Sequence, residues 1–336
     1  MNADTFISRF ESSDVGGKLS RLLPAKQMND LRSEADYYGA LWRIASLRQT
    51  SLAVDARVHK SEIGWQHGWV TAPVTDYRQV TGLSPAKPYY LVASTREQSI
   101  LSSAGLVGIP VGLPFAYARV DPIHRVRGSV LVMPAHGTDH TLVQDATRDY
   151  LEFIRSLRDQ FDHVVACISA PCLRRGVWQG HLQSIGVPWI EGADIRDGNA
   201  LNRMKTLFSF FETMTSNAIG SHFAYAACSG CRVSLCGPMH GLTADSLRSE
   251  PYYQTNPDLV DIAVYRASEA CTREHYPQLF CDPVLAPELR TWGREQIGWS
   301  HQRDANEMAR LLQTGWLPRI RRKIKRSVTR RFSRAA

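Results

Sequence analysis

From Gly128 to Gly237 short apolar runs alternate with longer amphipathic stretches, and that alternation leaves few folds open. GSVLVMPA, DHVVACIS, VPWIE, ETMTS and CRVSLCG read as strands. DATRDYLEFIRSLRDQ, CLRRGVWQGHLQSIG, DGNALNRMKTLFSFF and IGSHFAYAACS read as the helices between and beside them. Asp145 and Asp197 stand where N-caps belong, and Gly186 and Gly230 stand where helices stop. Strand and helix in strict succession predict a parallel sheet with right-handed crossovers, wound on both faces.

The chain before this region is less regular. Residues 29–49 carry Leu31, Tyr38, Leu41, Trp42 and Ile44 at roughly helical spacing and predict one helix. KPYYLVAS, 87–94, reads as a strand, REQSILSSAG as a short helix ending at Gly105, and VGIPVGLPFAYARV as strand and loop. The polar RVDPIHRVRG, 119–128, with its Pro and Gly, reads as a hinge. Residues 250–316 read as mostly helical, with APELRTWGREQIG and ANEMARLLQTG as helices. The expected organisation is α/β: a first unit over 1–122, a Rossmann-like unit over 123–316 and a basic tail over 317–336.

Charge sharpens this division. The 336-residue chain has a net charge of +8, yet nine Lys and Arg and no acid lie from Arg319 onward, so residues 1–318 sit near −1. A near-neutral body argues against a nucleic-acid-binding face. In the tail, Leu317, Ile320, Ile324 and Val328 follow Trp316 on one helical face. Arg319, Arg321, Arg322, Lys323, Lys325 and Arg326 crowd the rest. Such a basic amphipathic helix suits an anionic membrane surface; a solvated basic tail is the alternative. No apolar run approaches the ~18 residues of a membrane span, and the acidic N-terminal stretch lacks the apolar core of a signal peptide. The expected location is the cytoplasm, on the inner face of the cytoplasmic membrane. Seven cysteines, an odd number, suit reduced thiols.

In open parallel sheets ligands bind beyond the carboxyl ends of the strands. Two polar clusters fall there, PAHGTDH after SVLVM and TSNAIGSH after ETM. A helix N-terminus offers unpaired N–H groups and the positive end of a dipole, which suit a phosphate. His136, Gly137, Thr138, Ser216, Asn217, Gly220, Ser221 and His222 are therefore candidates for phosphate contact. Helix capping is the competing role for Ser216 and Asn217, and a satisfied turn histidine is the competing role for His136. His67, in QHGW, is a candidate base because an imidazole titrates near working pH; the other reading packs it between Trp65 and Trp69. Cys228 and Cys231 have C-x-x-C spacing, but a tetrahedral zinc site needs four ligands and no second pair exists. With Cys236, which reads as lying in a core-facing strand, they are expected to fill core, and no metal or other cofactor is expected.

The succession from 129 to 238, with its His-Gly turn and TSNAIGSHFAYAACSGCRVSLCGP, resembles the donor domain of GT-B-type glycosyltransferases. The likeness is to bacterial enzymes of capsule and lipopolysaccharide assembly, with CDP-glycerol glycerophosphotransferases and bacterial sialyltransferases as relatives. The resemblance implies two Rossmann-like domains and a nucleotide-sugar donor as co-substrate. It implies phosphate contacts for Ser216, Asn217 and Ser221, a donor-side role for His136 and an acceptor-side base at His67. The chain shows no clear E-x(7)-E signature and no D-x-D, so the donor sugar stays open. Transfer to a surface glycan or lipid-linked acceptor, with inversion and without metal, is the leading expectation. A nucleotide-sugar 2-epimerase and a non-catalytic binding protein of the same architecture are the rivals.

Removing residues 317–336 should release the protein from vesicles containing anionic lipid and leave nucleotide binding intact. Flotation of the full and shortened chains checks this, and a shortened chain that still floats with lipid contradicts the tail's role.

Overall fold

The computed structural model describes residues 13–31, 34–47, 61, 63–82, 87–138, 140 and 148–312. The alternation after Gly128 becomes five parallel strands, β4 (Val126–Met133), β5 (His163–Ile168), β6 (Trp189–Glu191), β7 (Phe211–Ser216) and β8 (Arg232–Leu235), in the order β6-β5-β4-β7-β8. The chain builds outward from β4 through β5 to β6, then crosses back to lay β7 on β4's other side. This is a Rossmann-like order, and its reversal falls between β4 and β7. A smaller parallel sheet precedes it: β1 (Gly64–Trp65), β2 (Tyr90–Val92) and β3 (Gly108–Pro110), in chain order. The protein is thus a mixed α/β molecule with two parallel sheets, and residues 118–125 run between them without regular structure.

Helices fill the connections. They are α1 (Asp14–Leu22), α2 (Ala40–Leu47), α3 (Arg78–Thr81), α4 (Thr95–Ser103), α5 (Arg148–Ser156), α6 (Ala170–Arg174), α7 (Gln179–Ser184), α8 (Ala200–Phe210) and α9 (Ser221–Cys228). Beyond β8 come α10 (Ala244–Leu247), α11 (Pro251–Thr255), α12 (Val260–Arg266), α13 (Glu269–His275), α14 (Arg290–Gln296) and α15 (Ala305–Leu311). Among the described residues no helix is long and apolar enough to cross a membrane. Trp316, Arg319, Arg321, Arg322, Lys323, Lys325 and Arg326, and with them the predicted tail helix, lie outside the described residues, as does Asp145.

Side chains of β4 alternate with a period of two, and both faces are covered, as a central parallel strand requires. Val130 and Val132 enter a core with Tyr150, Ile154 and Trp178. Leu131 enters the opposite core, which runs through Met214, Phe223 and Phe208 to Phe115, Leu91 and Trp65. That second core belongs to both sheets, so burial of apolar surface holds the two halves on one another.

Three local expectations need correction. The single helix over 29–49 is a 3-10 segment, Glu34–Gly39, followed by α2. Tyr38 breaks it by taking φ 59°, a left-handed conformation that an aromatic residue rarely adopts. The helix expected to stop at Gly186 is two helices, α6 and α7, parted at Gly176, where φ is 70°. Asp197 does not cap α8, whose N-cap is Asn199. Its Oδ1 accepts the N–H groups of Asn199 at 2.9 Å and Gln27 at 2.8 Å, pinning the N-terminal segment to the β6–α8 turn.

Helix α14 lies directly on α9 at Gly293. A Cβ there would come within 2.4 Å of the Cys228 nitrogen and 2.8 Å of the Ala224 oxygen, both backbone atoms that cannot swing aside. Gly293→Ala should therefore lower stability by about 1–3 kcal/mol, read as a lower urea midpoint at unchanged slope. Gly180→Ala, where nothing lies within 4 Å of the new methyl, should be neutral or slightly stabilising. Equal midpoints for the two variants would contradict the close packing.

Candidate active site at the joined sheet edges

The carboxyl end of β1 meets the carboxyl end of β7. After Trp65 the chain turns through Gln66, His67, Gly68 and Trp69, and this turn rests on the first turn of α9. The Trp69 N–H donates to Ser221 Oγ at 2.9 Å, and Tyr225 Oη, one helical turn on, donates to the His67 carbonyl at 2.9 Å. Ser221 and Tyr225 are also hydrogen-bonded to each other. Gly68 is required here because a Cβ would stand 2.9 Å from Ser221 Oγ.

Beyond Trp65 the strand ends, and the turn that follows frees His67 from the face shared by its neighbours. Trp65 and Trp69 turn inward, their indole N–H groups donating to the Gly112 carbonyl and to Gln296 Oε1, each at 3.0 Å. His67 points the other way and is exposed. It is not packed between the two tryptophans. Its ring neighbours are Tyr37, edge-on at 5.2 Å between centroids, and Tyr38 at 6.3 Å. Desolvation by the surrounding protein lowers the His67 pKa. His67 is neutral and proton-accepting at neutral pH.

The two polar clusters flank the reversal between β4 and β7. Asn217 straps them together: its Oδ1 accepts the Ala135 N–H at 2.9 Å and its Nδ2 donates to the Pro238 carbonyl at 3.2 Å. Its backbone oxygen accepts from His240 N–H at 2.7 Å. Ser216 is fully buried, with its hydroxyl bonded to the Ala218 backbone. Neither side chain caps α9, whose N-cap is Gly220 with no side-chain bond. Ser216, Asn217 and Ser221 thus hold three strand exits and the β1 turn in place with their side chains. What faces outward is the N-terminal turn of α9, whose first N–H groups have no partner within the helix.

His136 and His222 stand over that turn, their ring centroids 6.3 Å apart. His136 is exposed and lies beside Gly137, while His222 is buried and its Nε2 has no hydrogen-bond partner. Burial pushes the His222 pKa down to about 3, with the neighbouring His136 adding to the shift. Desolvation also lowers His136. Gly220 admits the His222 ring, since a Cβ would come within 3.0 Å of Nδ1. Thr138 bonds Glu250 through its hydroxyl, and its Oγ1 accepts the His140 N–H at 3.0 Å, so it braces the turn after β4.

Two parts of the site were not singled out from the sequence. Tyr225 carried a signal, its i+4 spacing from Ser221 on one helix face. Tyr37 and Tyr38 carried none, because their approach to His67 depends on the left-handed Tyr38. Cys228 and Cys231 are core; Cys236 is not. Cys231 is fully buried, its thiol donates to the Phe211 and Glu212 carbonyls at 3.4 and 3.5 Å, and burial pushes its pKa up to about 12. Cys228 is buried at the end of α9, while Cys236 is only half-buried and lies one residue beyond β8 rather than within it. Among the described residues no group of three or more His, Cys, Asp or Glu is gathered as a metal site.

Because His222 is more basic unfolded than folded, the unfolded chain binds more protons at acid pH. The stability due to its neutral form is complete above about pH 6.5 and is lost as pH falls toward its folded pKa of about 3. His222→Asn should flatten the acid limb of the stability–pH curve in that window. Urea titrations from pH 7 to pH 4 check this, and an unchanged slope would contradict a neutral, buried His222.

No family model matches the chain, and no curated protein matches it. Among solved structures, the chain is similar to the pneumococcal O-GlcNAc transferase GtfA, solved in complex with UDP and GlcNAc. The TM-score is 0.31 at 9% identity, covering 75% of this chain and 52% of that one. The chain thus spans about half the length of that transferase.

Proposed function

We propose that the cleft between the two sheet edges transfers a sugar, or a sugar-like phosphorylated group, from a nucleotide donor to an acceptor hydroxyl. The observation that carries this reading is the convergence at the β4–β7 reversal. There the N-terminal turn of α9, His136 and the unpartnered Nε2 of His222 lie together, and His67 is bonded into the same helix turn from the other sheet. A donor diphosphate would take the N–H groups of α9 and the two imidazoles. As the leaving phosphate gains charge, these fixed donors stabilise it, which is the kind of term that usually dominates catalysis.

His67 is on the acceptor side and takes the hydroxyl proton. It is neutral across the physiological range, so it is ready to accept. A bound diphosphate raises its basicity by Coulomb attraction to the protonated form. Direct displacement by the acceptor would invert the anomeric centre, and the imidazole and helix-end donors would neutralise the leaving group without a metal. The acceptor would be a growing surface glycan or a lipid-linked precursor, with the basic tail holding the enzyme at the inner face of the membrane. The division at residues 122 and 123, acceptor side before and donor side after, belongs to the same reading.

Thermal shift across CMP, CDP, UDP and GDP compounds should reveal one stabilising nucleotide. His67→Ala should keep that stabilisation and lose turnover by about 10²–10⁴-fold, whereas His136→Ala should weaken the nucleotide shift itself. The acid limb of the kcat/KM profile should lie below pH 6.5, the ordinary histidine range, because His67 is lowered from it. Nucleotide binding with no turnover on any acceptor would favour a non-catalytic binding protein instead.

A further inference from the structure

A second pocket, of about 180 Å³, lies between α3, which follows the His67 turn, and the α11–α12 segment. Its apolar wall includes Leu259 and Ala263. Tyr253 and three other polar side chains line the rest, and those three each hold an enclosed donor with no acceptor: Gln79 Nε2, Tyr252 Oη and Arg266 Nε. The amide of Gln79 is oriented by its other end, since Oε1 accepts the N–H groups of Thr75 at 2.8 Å and Asp76 at 3.1 Å. Arg266 is anchored through one terminal nitrogen to Thr71 Oγ1 at 3.1 Å.

On α3, Arg78 lies between two carboxylates, Asp76 at 2.7 Å and Asp258 at 2.5 Å, and also bonds Asn256 at 3.2 Å. Arg266 has no carboxylate within ion-pairing distance among the described residues. Burial lowers its pKa, the response of a cation short of compensation. Donors shut from water without an acceptor are unfavourable, and a partly buried guanidinium more so. A ligand oxygen bearing negative charge removes all of these costs at once.

We propose that this pocket binds a small oxyanion, a carboxylate or a phosphoryl group, held by Arg266, Tyr252 and Gln79. The proposal stands apart from the transfer reading. Because the three donor atoms are enclosed, binding needs their side chains to turn toward the ligand. Free ions should therefore bind in the millimolar range.

Calorimetric titration with sodium phosphate and with sodium acetate, at ionic strength fixed by sodium chloride, tests the proposal. Saturable binding of phosphate alone identifies a phosphoryl group, and binding of acetate as well identifies a carboxylate. Tyr252→Phe removes one donor and keeps the ring, and should weaken binding by roughly 2–10-fold, the worth of one hydrogen bond. Arg266→Met should abolish it. If Arg266→Met does not fold, Tyr252→Phe decides. Absence of saturable binding by either ion would overturn the proposal. So would binding unchanged by Tyr252→Phe, which would place the anion elsewhere, such as the turn of α9.

Discussion

The bond from the Trp69 N–H to Ser221 Oγ joins two sheets that share no strand. Around it close the Tyr225 hydroxyl on the His67 carbonyl and the approach of Gly68 to Ser221. A net hydrogen bond is worth only about 1 kcal/mol, so this small ring does not hold the halves together. The apolar core that runs from Leu91 to Met214 does that. What the ring fixes is register: it sets which residue of the β1 exit stands over which turn of α9. His67 stands beside the first turns of α9 because of that register.

Polarity and burial cooperate in the larger sheet. Ser216 and Asn217 lie at the end of a strand with no access to water, where an unmet polar group is costly. Their bonds to Ala218, Ala135 and Pro238 meet that demand and bind three strand exits into one rigid floor. The floor holds the start of α9 in place, and α14 presses on the same helix from behind through Gly293. A helix turn held from both sides needs little rearrangement to receive a ligand, and preorganisation of that kind is what electrostatic stabilisation depends on.

Much of this was legible in the sequence where the cause is local. β4 and β5 announce themselves as continuous apolar runs, and Gly230, at φ 77°, stops α9 where a glycine signalled a stop. The break at Tyr38 was not legible, since nothing in EADYYGALW marks an aromatic residue that will take a positive φ. In sequence Asn217 reads as a phosphate ligand or a helix cap, because both roles are local. Its actual partners, Ala135 and Pro238, are far away in the chain, and only the sheet order brings them within reach. For the same reason the sequence could mark His67 and His136 singly but could not join them.

The proposed ligand site lies where the two sheet edges meet, above the first turn of α9. Histidine side-chain NMR during titration with a nucleoside diphosphate checks this placement. His67, His136 and His222 surround the cleft, whereas His163 lies at the amino end of β5 on the opposite edge of the sheet. Saturable shifts are expected at His136 and His222, a smaller one at His67 and none at His163. Shifts confined to histidines away from the cleft, with His136 and His222 unmoved at saturation, would contradict it.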